Sequence, residues 1–159
     1  MNVVLALRED LMLTIDLREM HLASGDVCRG RAQLALDGPT QALRAIATLT
    51  CSQSVRSPFS GEPATKQVFY QHAMEISGTG SYCGETLSFE LPVPSADELE
   101  ELPQPPQFLR KLVSWIDPDA IGPVVWELEV RLERRWKTDV VATSKVDIVL
   151  DTERRAQSA

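Results

Sequence analysis

Residues 122–150 have the sequence GPVVWELEVRLERRWKTDVVATSKVDIVL, and their alternation of apolar and polar residues decides the predicted fold. A period of two indicates a β-strand that is buried on one face and wet on the other. The pattern stops at residues 137–139 and then resumes, which predicts a long antiparallel hairpin. The residues predicted to face the core are Val124, Trp126, Leu128, Val130 and Leu132 in the first strand, then Val140, Ala142, Val146 and Ile148 in the second.

A sheet with one apolar face must bury that face, and a second sheet is the simplest cover, so the hairpin predicts a β-sandwich. The same alternation recurs upstream, between turns that contain glycine or proline. Further strands are predicted at 3–7, 11–17, 27–36, 43–55, 67–76 and 85–93. Their predicted core faces are Cys28, Gly30, Ala32, Leu34 and Leu36; Leu43, Ala45, Ala47, Leu49 and Cys51; Val68, Tyr70, Met74 and Ile76; and Leu87, Phe89, Leu91 and Val93.

Residues 95–121 break this rhythm and predict a short helical insertion. Ser95 and Glu98 have the spacing of a capping box, and the prolines between Pro103 and Pro106 end that turn of helix. A second, amphipathic helix is predicted over 107–116. Its apolar stripe packs on the sandwich as a lid, which is the usual role of such a face, or it is buried in a partner. The residues predicted to contact a partner are Asp97, Glu98, Glu100, Glu101, Phe108, Leu112 and Trp115.

Length and charge limit the functions that the chain can have. Its 159 residues fit one domain, predicted over 1–150, followed by a frayed polar tail at 151–159. The formal net charge of −7 argues against sequence-independent binding to nucleic acid. No stretch approaches the ~20 apolar residues of a membrane span, and the first residues lack the pattern of a signal peptide.

The cysteines and histidines are the residues from which a metal site or a Cys/His nucleophile would be built. Cys28, Cys51 and Cys83 are widely spaced and odd in number, which favours a reducing compartment and therefore the cytoplasm. They form no Cys-x-x-Cys pair with each other, and nothing in the sequence couples them to His21 or His72. We expect small core cysteines, no catalytic residue, no metal, no cofactor and no enzyme activity.

Two clusters of charged residues have both a structural and a functional interpretation. Asp117 and Asp119 flank a proline and are the tightest candidates for calcium, although turn and cap roles are favoured. A basic cluster lies at the predicted hairpin tip, where paired and solvated side chains are favoured over a phosphate site. That cluster consists of Arg131, Arg134, Arg135 and Lys137.

Four segments are informative as an ordered set: SGDVCRG at 24–30, the strand at 42–51, GETLSFELP at 84–92 and GPVVWELEV at 122–130. In this order and spacing they resemble the N-terminal domain of the arrestin family, across about 3–150 of the chain. Each motif alone is only a turn followed by alternating apolar and polar residues, so it is the ordered set of four segments that makes the resemblance specific. Bacterial sporulation-control proteins and a retromer subunit resemble the same domain.

The resemblance implies an all-β, immunoglobulin-like and arrestin-like antiparallel β-sandwich that acts as a non-enzymatic adaptor or scaffold in signalling. Protein partners, or a second copy of the chain, are expected at exposed strand edges or at the 95–121 insertion. The second sandwich domain of classical arrestins has no room here, so their inter-domain activation is not implied. The alternative function is binding of a small ligand or carbohydrate, which requires Trp115 and Trp136 to lie close together.

Overall fold

The structure, a computed structural model, describes residues 11–56, 63–95, 98 and 121–149. Several predictions lie outside these residues: the strand at 3–7, the helix at 107–116, the Asp117–Asp119 pair and the tail at 151–159. Within the described residues the chain forms nine strands. They are β1 (Leu11–Leu17), β2 (His21–Ala23), β3 (Val27–Leu36), β4 (Thr40–Val55), β5 (Thr65–Ser77), β6 (Gly80–Tyr82), β7 (Thr86–Pro92), β8 (Ile121–Arg134) and β9 (Val140–Val149).

The strands form two sheets that pack face to face, which confirms the predicted all-β sandwich. The smaller sheet has the order β1-β3-β7, and the larger has the order β2-β9-β8-β4-β5, with β6 also paired to β4. Neighbouring strands in the described residues pair in the antiparallel direction, except that β2 runs parallel to β9. The largest completely enclosed side chains come from both sheets and include Leu13, Ile15, Leu34, Leu49, Leu91 and Leu128.

The predicted register of the β8–β9 hairpin is confirmed. Trp126, Leu128, Val130 and Leu132 are buried, and the residues between them are only half-buried. The hairpin pairs Trp126 with Val146 and continues to Leu132 with Val140. The apolar face of this hairpin therefore forms one wall of the core, as its alternation predicts.

The prediction that Leu43 faces the core is wrong: its side chain is 43% exposed, and Ala42 is buried instead. The pairing of β4 with β8 shifts between Ala42 and Arg44, which marks a β-bulge. An extra residue in one strand reverses the inward and outward positions beyond it. Because alternation is regular on either side of a bulge, it does not reveal where the phase changes.

Val124 also departs from the prediction, since its side chain is 52% exposed. The β8–β9 ladder ends at Trp126 and Val146, and beyond that point β9 pairs with β2, placing Ile148 beside Leu22. The end of β8 is therefore no longer covered by its hairpin partner. The same separation of strands leaves a shallow notch, lined by both apolar and charged side chains, beside Val124 and Val149.

Gly30 lies in the central strand of the smaller sheet, at a point where the chain has no space for a side chain. A Cβ atom there would lie 2.6 Å from Cζ of Phe89 and 2.8 Å from the backbone oxygen of Asp16. Gly30 pairs directly with Phe89 of β7, so the aromatic ring occupies the space that a larger residue would need. A missing side chain on β3 is thus filled by a large one on its neighbour.

Candidate functional site

The edge of β5 is the longest unpaired strand edge in the described part of the larger sheet. β5 runs for 13 residues at the end of that sheet, and β4 is its neighbour on one side. The prediction that Val68 faces the core is wrong: its side chain is 50% exposed, because the pairing of β4 with β5 shifts between Cys51 and Ser52 and reverses the faces of β5. Ala73 and Glu75 are exposed on the same outer face. Lys66 lies on that face too, with its Nζ 3.8 Å from Oε1 of Glu127. Such an edge presents backbone donors and acceptors to a further strand.

The start of the 95–121 insertion forms the predicted capping box. The Ser95 backbone N–H donates to Oε2 of Glu98 (3.0 Å), and the Glu98 N–H donates to Oγ of Ser95 (3.3 Å). Burial, and then the negative charge of Glu98, raise the pKa of Tyr70, which lies on β5. The insertion therefore begins close to the β5 strand.

The other residues predicted to contact a partner, Asp97, Glu100, Glu101, Phe108, Leu112 and Trp115, lie outside the described residues. Their roles stay predictions, as does the choice between a lid and an interface. The aromatic platform that a carbohydrate-binding function requires is likewise untested, because Trp115 is one of its two members. Its other member, Trp136, is described and has an unusual setting.

Trp136 is presented to solvent at the tip of the β8–β9 hairpin. Its side chain is 93% exposed, and its backbone φ of 63° lies in the left-handed region that non-glycine residues rarely adopt. The loop is held by Asp139, which accepts from the Arg134 N–H (3.1 Å) and from Nη1 of Arg131 (3.3 Å). The sequence left the setting of Trp136 open, because the residue follows the last regular position of the strand.

Two of the four members of the basic cluster at this tip, Arg131 and Arg134, are paired, as the favoured interpretation predicts. Nε of Arg131 donates to Oε1 of Glu129 (3.0 Å), and Nε of Arg134 donates to the Thr138 carbonyl (2.8 Å). The hydrogen bonds that Arg131 donates to Glu129 and Asp139 raise its pKa. These guanidinium groups are used to fix the loop.

The three cysteines are not in disulfides, and their settings differ. Cys28 and Cys51 are buried on core faces, as predicted, and burial raises the pKa of each thiol to about 11. Cys83 is half-buried and lies between β6 and β7. Among the described residues, no three His, Cys, Asp or Glu side chains are grouped as a metal site, and His21 instead lies 3.1 Å from Asp147.

These settings predict selective alkylation. At pH 8 a thiol whose pKa is near 11 is almost wholly protonated and unreactive, and burial also blocks access. We expect iodoacetamide to modify Cys83 first in the native protein and all three thiols after denaturation. Intact mass spectrometry measures both. Native modification of Cys28 or Cys51 as fast as Cys83 would contradict the described burial.

A second candidate surface, which was not predicted from the sequence, is a groove on the outer face of the smaller sheet. It has a volume of about 510 Å³, and its charged lining residues come from all three strands or their ends. Those residues are Asp16, Arg18, Arg29, Arg31 and Glu90. The alternation already placed Arg29 and Arg31 on a wet face, but only strand pairing shows which residues join them.

Comparisons with known proteins support the fold and leave the function open. No protein-family model and no curated protein matches the sequence. Among solved structures, the fold is similar to that of Spo0M, the sporulation control protein of Bacillus subtilis, with a TM-score of 0.64 and 10% sequence identity. The match covers 95% of this chain and 56% of Spo0M. The architecture is an arrestin-like β-sandwich.

The same comparison limits what can be transferred. At 10% identity the likeness concerns the fold, and the chain spans little more than half the length of Spo0M. One further observation concerns membranes: in the described ranges, no helix has the length and apolar character needed to cross a bilayer.

Proposed function

We propose that this chain is a non-enzymatic adaptor that binds protein partners by strand addition at β5. The observation that carries the proposal is the outer edge of β5, which is 13 residues long, ends the larger sheet and has no partner strand among the described residues. An extended partner segment gains backbone hydrogen bonds at such an edge, and side chains at alternate positions give specificity. The fold likeness to a sporulation control protein supports a regulatory role.

The insertion supports the proposal because it begins beside the same strand. Glu98 acts electrostatically on Tyr70, near the middle of β5, so a partner strand at this edge would lie near the Glu98 carboxylate. The proposed contacts are therefore the β5 edge together with Asp97, Glu98, Glu100 and Glu101. The stripe at Phe108, Leu112 and Trp115 is either the lid under this contact or part of it.

Localisation in the cytoplasm belongs to the same proposal. The structure forms no disulfide from Cys28, Cys51 or Cys83, although an oxidising compartment favours such bonds in secreted domains. Two of these thiols lie within the core, where they fill space as small apolar side chains. A reducing compartment is consistent with both features.

The edge contact is tested by adding two positive charges to it. We expect Val68→Lys with Ala73→Lys to abolish partner binding, because lysine on an edge strand opposes the approach of another strand. Both positions are exposed, so the melting temperature should change little. The measurement is affinity capture from the native cell, followed by mass spectrometry and by direct binding of the captured protein.

The matched control adds the same two charges elsewhere. Gln33→Lys with Ala35→Lys changes exposed positions on β3, whose edges are paired to β1 and β7. The control should retain the partner, and a variant with lysine at 97, 98, 100 and 101 should weaken the binding. Equal binding by the edge variant and the control, or no captured protein at all, would refute strand addition at β5.

A further inference from the structure

The groove on the smaller sheet brings three arginines together on an acidic protein. Strand pairing places Asp16, Arg31 and Ser88 in one row across β1, β3 and β7. In the next row the Arg18 N–H donates to the Arg29 carbonyl (3.0 Å), and Arg29 pairs with Glu90. Residues two apart in a strand share a face. Arg18, Arg29 and Arg31 therefore surround one spot on the outer face.

Two of these guanidinium groups have no ion-pair partner among the residues that the structure describes. Arg29 lies 3.2 Å from Oε1 of Glu90. In the part of the chain that the structure describes, the side chains of Arg18 and Arg31 form no ion pair and no hydrogen bond. Asp16 is the pairing partner of Arg31, yet no ion pair joins them.

The groove carries a small excess of positive charge, because it holds three arginines and two carboxylates, those of Asp16 and Glu90. Arg18 and Arg29 are opposed across β1 and β3, and like charges in that position destabilise a sheet. The formal net charge of the chain is −7, so a local excess of arginine stands out against an acidic surface. An anionic group between these side chains would remove the repulsion.

We propose that this groove binds a small organic carboxylate that carries several hydroxyl groups. Guanidinium groups bind carboxylates through two parallel hydrogen bonds, and Arg18 and Arg31 are available for this. Around them Asp16, Ser88 and Glu90 supply oxygen atoms that accept from ligand hydroxyls. The volume of about 510 Å³ lies within the range of small-molecule sites.

The lining argues for a polar small molecule. The side chain of Phe89 is 3% exposed and packs in the core beside Gly30, so the outer face of the groove offers little apolar surface to a ligand. β3 is the central strand, and its backbone is bonded to β1 and β7. An extended peptide therefore finds no free backbone edge on β3, the strand that carries Arg29 and Arg31, in contrast to β5.

The site is tested by titration with D-glucuronate. Isothermal calorimetry and the shifts of amide signals in NMR spectra detect the binding. D-glucose and inorganic phosphate serve as comparison ligands that lack the carboxylate and the hydroxyl groups, respectively. We expect glucuronate to bind more tightly than either. The double variant Arg18→Gln, Arg31→Gln should weaken glucuronate binding by roughly tenfold or more, because both bidentate partners are lost. These side chains are exposed, so the variant should fold and melt like the parent.

The control is Arg135→Gln, which removes an exposed arginine from the hairpin tip and should leave binding unchanged. Shifts centred on β1, β3 and β7 that disappear in the double variant support the groove. Equal binding by the double variant and the control would overturn it, as would the absence of binding up to about 10 mM glucuronate. Binding of phosphate as tightly as glucuronate would overturn the role of the hydroxyl groups.

Discussion

Trp126→Ala is expected to lower the free energy of unfolding by about 3–5 kcal/mol, the usual cost of removing a large aromatic from a core. Trp126 is 6% exposed on the core face of β8. Its ring centroid lies 5.9 Å from that of Tyr70, at an interplanar angle of 51°, so the change also removes an aromatic contact between β8 and β5. Thermal and chemical denaturation measure the loss, and the melting temperature should fall on the order of 10 °C.

The matched control is the neighbouring residue on the wet face. Glu127 is half-buried and lies 3.8 Å from Lys66, a solvated ion pair of small worth. Glu127→Ala should therefore change stability by well under about 1 kcal/mol. Equal losses in the two variants would mean that the inward and outward faces of β8 are exchanged.

Gly30→Ala is expected to destabilise the sandwich by about 1–3 kcal/mol, although it adds only one methyl group. The new Cβ would lie 2.6 Å from the Phe89 ring and 2.8 Å from the Asp16 backbone oxygen, and the backbone atom cannot move aside independently. Chemical denaturation of the variant gives the cost. The effect should come from crowding rather than from backbone conformation, since Gly30 lies within a regular strand.

Two further variants separate crowding from a general intolerance of alanine. Nothing lies within 4 Å of a Cβ built at Gly84, so Gly84→Ala should be nearly neutral. In a Phe89→Leu background, Gly30→Ala should cost less than in the parent, because the closest atom has gone. An unchanged cost in that background would show that the ring is not the obstacle.

The inward and outward faces of the regular strands were predictable because apolar and polar residues alternate along each of them in the sequence. Alternation placed Trp126, Leu128 and Val130 in the core and placed Arg29 and Arg31 outside, and both assignments hold. A bulge or a change of partner is not encoded in the local pattern. Leu43 and Val68 were therefore assigned to the wrong face because of bulges, and Val124 is exposed because β9 departs toward β2.

The two proposed binding surfaces, the β5 edge and the arginine groove, were less predictable from the sequence than the core. The β5 strand was foreseen, but its position at the end of the sheet depends on which strands pair, and pairing is a tertiary property. The arginine groove has the same origin, since Arg18 and Arg31 belong to strands that meet only in the sheet. The capping box at Ser95 and Glu98 was predictable because its two residues are three apart in sequence.

The order in which the strands leave the ribosome has a consequence for the larger sheet. β4 pairs early with β5, its near neighbour in sequence, but its other edge pairs with β8, which ends at Arg134. The last pairing, of Leu22 with Ile148, needs almost the complete chain. Until β8 has been synthesised, one edge of β4 has no partner strand, a state that is prone to aggregation. A truncated or stalled nascent chain should therefore be a preferred client of chaperones that hold exposed strands.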